Sequence, residues 1–145
     1  RVWGRELIWV GWLVGAVVLV GFVVFCCWVV IELSCSVSLG WIDGRVEKFD
    51  TSLFRQRTQL PHMGWNDVKP VISSGLFTGL EDDARFYFLH SYFFRCADRE
   101  HVLAQTDYGS TFSCAVRSKN IYGVQFHPEK SHHYGARLLK NFAEL

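Results

Sequence analysis

The pattern of apolar and polar positions changes character near residue 38. From Leu7 to Leu33 apolar residues follow one another with Glu32 as the single charge. That run exceeds the roughly 20 apolar residues needed to cross a bilayer, and Arg1 and Arg5 ahead of it would set a cytoplasmic N-terminus. It is too long for the apolar core of a signal peptide and shows no clear cleavage site. From Leu39 onward apolar and polar positions interleave as in a globular domain. In "GWIDGRVEKFD" an Asp43-Gly44 turn precedes an alternating segment, a hairpin signal. "LPHMGWNDVKP" places Pro61 and Pro70 around a short aromatic loop and strand. "GLEDDARFYFLHSYFFRC" predicts an acidic turn and then one long aromatic strand, and "HVLAQTDYG" a further strand ending at Gly109. "TFSCAVRSKNIYGVQF" predicts two strands joined at Ser118-Lys119-Asn120. "SHHYGARLLKNFAEL" predicts a helix, with Ser131 as its N-cap and Leu138, Leu139 and Phe142 as its apolar face.

Composition adds a second reading of residues 1–38. They contain no Lys, Asp, Asn, Gln, His, Pro, Thr, Tyr or Met. Most of the residues that remain are written with codons rich in G and T, the bias expected of out-of-frame translation. From composition alone, a membrane span and an out-of-frame segment stand level. The chain begins with Arg rather than Met, so it is expected to be a fragment or a processed chain. Its 145 residues suffice for one domain with a core, and half of them are hydrophobic, which excludes a wholly disordered chain. A net charge of +1 with no block of Lys and Arg implies neither nucleic acid nor an acidic partner. The five cysteines, Cys26, Cys27, Cys35, Cys96 and Cys114, lack metal-type spacing, and their odd number fits a reducing, cytoplasmic setting.

Candidate chemistry lies in "IYGVQFHPEKS". In an extended segment residues i and i+2 point to the same side, so His127 and Glu129 can meet, with Pro128 restricting the backbone between them. A carboxylate on one imidazole nitrogen fixes the tautomer and steadies the imidazolium. The other nitrogen can then take a proton from a thiol or hydroxyl. His-x-Glu by itself is a short pattern that also occurs on solvent-facing turns. His132 and His133 carry no role, because no carboxylate or cysteine spacing around them supports a zinc site.

The flanking residues sharpen this. "GVQFHPEKS" resembles the C-terminal signature of class I glutamine amidotransferases. "PHMGWN" (Pro61 to Asn66), "FLHSY" (Phe88 to Tyr92), "YG..F" (Tyr108 to Phe112) and "NIYGVQFHPEKS" with "G..LLKNF" occur in order. Together they are similar to the family of glutaminase subunits of imidazole glycerol phosphate synthases, over residues 39–145. The resemblance implies an α/β open sheet with flanking helices, of which this chain holds the C-terminal half, preceded by the unmatched hydrophobic segment 1–38. It implies hydrolysis of glutamine to glutamate and ammonia through a cysteinyl thioester, with His127 as base and then acid and Glu129 orienting it. It assigns His90, Ser91 and Tyr92 to the glutamine site. His62, Met63, Gly64, Trp65, Asn66 and Lys130 are assigned to the contact with a cyclase subunit, a (β/α)8 barrel that receives the ammonia. No metal or organic cofactor is implied.

The family carries its nucleophile in a Gly-x-Cys-x-Gly turn, and no cysteine of this sequence has those glycines. Cys26 and Cys27 sit in "VVFCCWVV" and Cys35 in "LSCSVS". Cys96 and Cys114 are expected to pack within strands as small hydrophobes. The resemblance therefore favours the out-of-frame reading of residues 1–38 and predicts that the chain as written does not hydrolyse glutamine. Two rival expectations remain: a class I amidotransferase with another acceptor, and a membrane-tethered binding protein without catalysis.

Overall fold

In a computed structural model, residues 6–10, 22–25, 42–53, 60–72, 75–80 and 83–145 are described. Cys26, Cys27 and Cys35 lie outside them, as does most of the 1–38 segment. Two stretches of its apolar run are strands: β1 (Glu6–Val10) and β2 (Phe22–Phe25). Among the described residues no helix is long and apolar enough to cross a membrane.

The remaining strands are β3 (Gly44–Lys48), β4 (His62–Asp67), β5 (Lys69–Pro70), β6 (Arg85–His90), β7 (Tyr92–Cys96), β8 (Val102–Asp107), β9 (Thr111–Ser118) and β10 (Ile121–Val124). A six-stranded mixed sheet has the order β2-β1-β10-β9-β8-β5. β1 runs parallel to both neighbours, and the pairs from β10 to β5 are antiparallel. Two antiparallel ribbons, β3-β7 and β4-β6, complete the strands. The helices expected to flank the sheet are represented, among the described residues, by α1 (His132–Glu144).

The predicted strands at 102–107, 111–118 and 121–124 form as expected, with Lys119 at φ +56° in the turn between the last two. Two expectations fail for stated reasons. The Asp43-Gly44 signal opens β3, but β3 pairs with β7, far along the chain, instead of closing a hairpin. Gly44 is needed there because a Cβ would collide with the Phe94 ring and the Arg95 carbonyl. The long aromatic strand is two strands, broken at Ser91, and its halves join different ribbons.

Within β6 the period-2 pleat turns Phe86, Phe88 and His90 inward. Phe86 stacks on Phe126 at 4.0 Å, and Phe88 meets Phe126 and Phe112 edge-on. Leu76, Phe77 and Leu80 close one side of this core, and α1 adds Leu138 and Phe142, with Leu139 partly buried beside them. Each such side chain contributes about 1.5–3 kcal/mol by leaving water. Asn141 is buried on the same helix face, where its amide donates to Leu76 O (3.0 Å) and Thr78 O (2.9 Å). It stitches the helix to the 75–78 turn through carbonyls that strands do not use.

Candidate functional site

The tip of the sheet carries the proposed relay. His127 is extended (φ −101°, ψ 93°), and its N–H donates to Tyr87 O at 2.8 Å, an isolated bridge that moors it to β6. Pro128–Lys130 then form one 3-10 turn. It is closed by Lys130 N–H donating to His127 O (3.1 Å) and Ser131 N–H donating to Pro128 O (3.0 Å). The turn, rather than the strand pleat expected from the sequence, brings Glu129 back onto the ring: Nδ1 of His127 and Oε1 of Glu129 are 2.9 Å apart.

The imidazole is fully buried, while the side chain of Glu129 is 51% exposed. Burial pushes the Glu129 carboxyl up. The hydrogen bond from His127, one from its own backbone, and the charges of His127 and Lys130 together carry it below the ordinary carboxylate value. The carboxylate is therefore ionised at neutral pH and accepts from Nδ1, which leaves Nε2 as the basic nitrogen.

Ser131 occupies the N-cap position of α1, as expected, yet makes no capping bond. Its buried hydroxyl donates to His127 O (2.6 Å) and accepts from Tyr87 N–H (3.0 Å). One side chain thus clamps both ends of the turn to β6. Gly135, one turn into the helix, lets the backbone approach Pro128 so closely that a Cβ would collide with the Pro128 carbonyl.

The residues assigned to the glutamine site and to the partner contact do not separate as expected. His62 is only 2% exposed and His90 6%. They face each other across β4 and β6, with His62 Nδ1 and His90 Nε2 2.9 Å apart. The sequence groups His62 with an exposed loop, but the pleat of β4 turns it inward and leaves Met63 and Trp65 outward, at 64% and 39% exposure. The second nitrogen of His90 meets Tyr92 O at 2.8 Å, so both ring nitrogens are engaged within the protein. Ser91, the bend between β6 and β7, and Tyr92, the first residue of β7, are half-buried.

Around the outward residues, Trp65 stacks on His132 (5.2 Å, 2° between planes) and meets Tyr87 edge-on. Lys130 Nζ lies 5.8 Å above the Tyr87 ring. His132, which had no role in the sequence, is thus part of this surface. An open cavity of about 730 Å³ lies between residues 62–66 and 107–111.

The two described cysteines offer no nucleophile to His127. Cys114 is buried in the core and Cys96 half-buried at the end of β7, and burial pushes both thiols up, away from the reactive thiolate. No group of His, Cys, Asp and Glu among the described residues could hold a metal ion.

The chain is 62% identical over 107 residues to the imidazole glycerol phosphate synthase subunit HisH of Bdellovibrio bacteriovorus, covering 74% of this chain and 52% of that protein. It is 50% identical over 107 residues to HisH of Leptospira borgpetersenii, with the same coverage of 74% and 52%. To HisH 2 of Pseudomonas aeruginosa it is 44% identical over 114 residues, covering 79% and 55%. The chain thus spans about half the length of the curated relatives it matches. A crystal structure described as that of a GMP synthase subunit from Thermoplasma acidophilum shares the fold at a TM-score of 0.53 and 22% identity, covering 70% of this chain and 47% of that one. The family model of class I glutamine amidotransferases matches residues 28–145, beginning inside the apolar run and taking in most of the chain, and this chain belongs to that family.

Proposed function

We propose that this chain is the C-terminal portion of the ammonia-supplying glutaminase subunit of an imidazole glycerol phosphate synthase, acting in the cytoplasm in histidine biosynthesis. The observation that carries the proposal is the 2.9 Å contact between His127 Nδ1 and Glu129 Oε1 at a strand tip, in a chain 62% identical to a HisH subunit. With Nδ1 committed to the carboxylate, Nε2 of His127 is the base. It takes the proton of a cysteine thiol as sulfur attacks the amide carbon of glutamine, then delivers it to the departing ammonia. Water, deprotonated by the same nitrogen, cleaves the thioester and releases glutamate.

The attacking cysteine is supplied by no Gly-x-Cys-x-Gly turn of this sequence, so residues 39–145 hold the proton-transfer half of the site, with Ser91 and Tyr92 read as residues that hold glutamine. Residues 1–38 nonetheless supply β1 and β2 to the sheet beside β10, and the family match begins at residue 28. Met63, Gly64, Trp65, Asn66 and Lys130 form the surface toward a barrel-shaped cyclase subunit, and buried His62 supports it from beneath. An exposed Trp and Met are suited to such an interface.

The test joins residues 39–145 to the preceding half of the Bdellovibrio bacteriovorus protein and measures glutamate release with the cyclase subunit present. Turnover that disappears in His127→Ala supports the reading. A folded chimera that never hydrolyses glutamine overturns it.

A further inference from the structure

The buried pair His62 and His90 is joined to Asn66 by contacts whose donor and acceptor roles can be assigned in one direction only. His90 Nδ1 faces Tyr92 O at 2.8 Å. A carbonyl only accepts, so Nδ1 carries the proton and Nε2 of the neutral ring is an acceptor. His62 Nδ1, 2.9 Å from that Nε2, must then donate, which leaves His62 Nε2 as an acceptor. Asn66 Oδ1 accepts from Asp67 N–H (2.9 Å), so its amide nitrogen is the side that faces His62 Nε2 (3.3 Å) and Asp107 O (2.7 Å). A second proton on His62 would set N–H against the Asn66 amide hydrogens. A second proton on His90 would set N–H against N–H of His62. Each ring is also pinned in place: His62 between Phe88 (4.7 Å, 15°) and Tyr108 (3.8 Å, 19°), and His90 against Phe49 and Phe112.

We propose that Asn66, His62 and His90 are positioning residues that form a tautomer lock, holding both imidazoles neutral as Nδ1–H forms so that His127 is the one histidine of the cluster able to accept the catalytic proton. The inference rests on the reading of His127 as the base. The charge of His127 acts on His90, so a proton lodged on His90 would oppose the imidazolium that must form on His127. The other titratable groups facing the pair are few: the Tyr108 hydroxyl belongs to the ring stacked on His62, and the Asp107 carboxylate is bonded to the Thr111 hydroxyl.

The test is histidine-selective 15N NMR on the full chain, which needs no catalysis and so separates failure of the lock from failure of the glutaminase reading. From about pH 7 to about pH 5, the interval in which an ordinary histidine takes up its proton, both rings are expected to keep a protonated Nδ1 and an unprotonated Nε2. Asn66→Asp replaces the donor by a carboxylate, and His62 is expected to gain a proton on Nε2 within that interval while the amide signals of Leu138 and Phe142 stay in place. In the chimera the same variant should lose glutaminase activity at the acidic end of its pH profile. An Nε2–H tautomer on either ring of the parent chain overturns the proposal, whether or not the variant folds. So does an Asn66→Asp chain that folds with an unchanged His62 spectrum.

Discussion

The carboxylate of Glu129 stands 2.9 Å from Nδ1 of His127, half-exposed beside an imidazole that solvent does not reach. The arrangement gives the ring an ionised partner without burying the ion, which avoids most of the desolvation penalty of a fully buried pair. Burial alone would raise the Glu129 carboxyl, and the hydrogen bond from His127 with its companions reverses the direction.

That reversal fixes a sign. A carboxyl held below its unfolded value keeps its contact above the ordinary carboxylate range and loses it as pH falls through the folded value. In the chimera, His127→Ala should lower kcat by roughly 10²-fold or more, the usual scale of a general base. Glu129→Gln, which keeps the shape and removes the charge, should lower it less and leave KM for glutamine nearly unchanged. Steady-state glutamate release checks both.

Acid should unfold the domain early. Burial, and then the charge of His90, carry His62 down to about 3. Burial outweighs the Tyr92 carbonyl and, with the charge of His127, carries His90 to about 4. Between roughly pH 6.5 and pH 4 the unfolded chain therefore binds protons that the native one refuses. Stability should fall with falling pH by ~1.4 kcal/mol per pH unit for each histidine. Urea titrations across that interval should show the slope, and a His62→Asn, His90→Asn double variant should flatten it.

Ser131→Ala should destabilise the domain by about 1–3 kcal/mol, because Tyr87 N–H and His127 O both lose the hydroxyl between them in a buried place. The amide signal of Tyr87 should also exchange faster with solvent. Equilibrium denaturation and hydrogen exchange measure the two effects.

Gly135→Ala sets two effects against each other. Alanine favours a helix interior over glycine by about 1 kcal/mol. The added Cβ, however, meets the Pro128 carbonyl, a backbone atom with little freedom to move. The collision should win, with a lower melting temperature and a displaced His127–Glu129 turn, read by thermal denaturation and by the ring signals of His127.

Three strands of the sheet, β8, β9 and β10, were legible from the sequence because alternation and turn residues coincide there, as at Ser118-Lys119-Asn120 between β9 and β10, whereas β1 and β2 lie in the apolar run that the sequence offered as a membrane span or an out-of-frame segment. The His127–Glu129 pair was legible as well, though a 3-10 turn and not a strand pleat brings the two together. What stayed hidden depended on partners distant in sequence. Nothing near Gly44 announces that Phe94 will lie across it, and an unbroken aromatic stretch does not announce the bend at Ser91 that sends its halves into two ribbons. His62 looked like a surface residue because Met63 and Trp65 beside it are. The alternation within "HMGWND" was the signal that could have placed it inside. Ser131 at a helix start suggested a cap, and only the turn before it shows why its hydroxyl is spent on His127 and Tyr87.

At one rim of the six-stranded sheet, the two-residue β5 ends in Pro70, followed by exposed Val71 and Ile72. Greasy side chains beside an outermost strand invite molecules to zip together, but proline withholds the amide hydrogen that a newcomer would have to grasp, and Lys69 adds a charge to the approach. Crowded copies of this chain should accordingly stay apart along that border, and replacing Pro70 would be the shortest route to filaments.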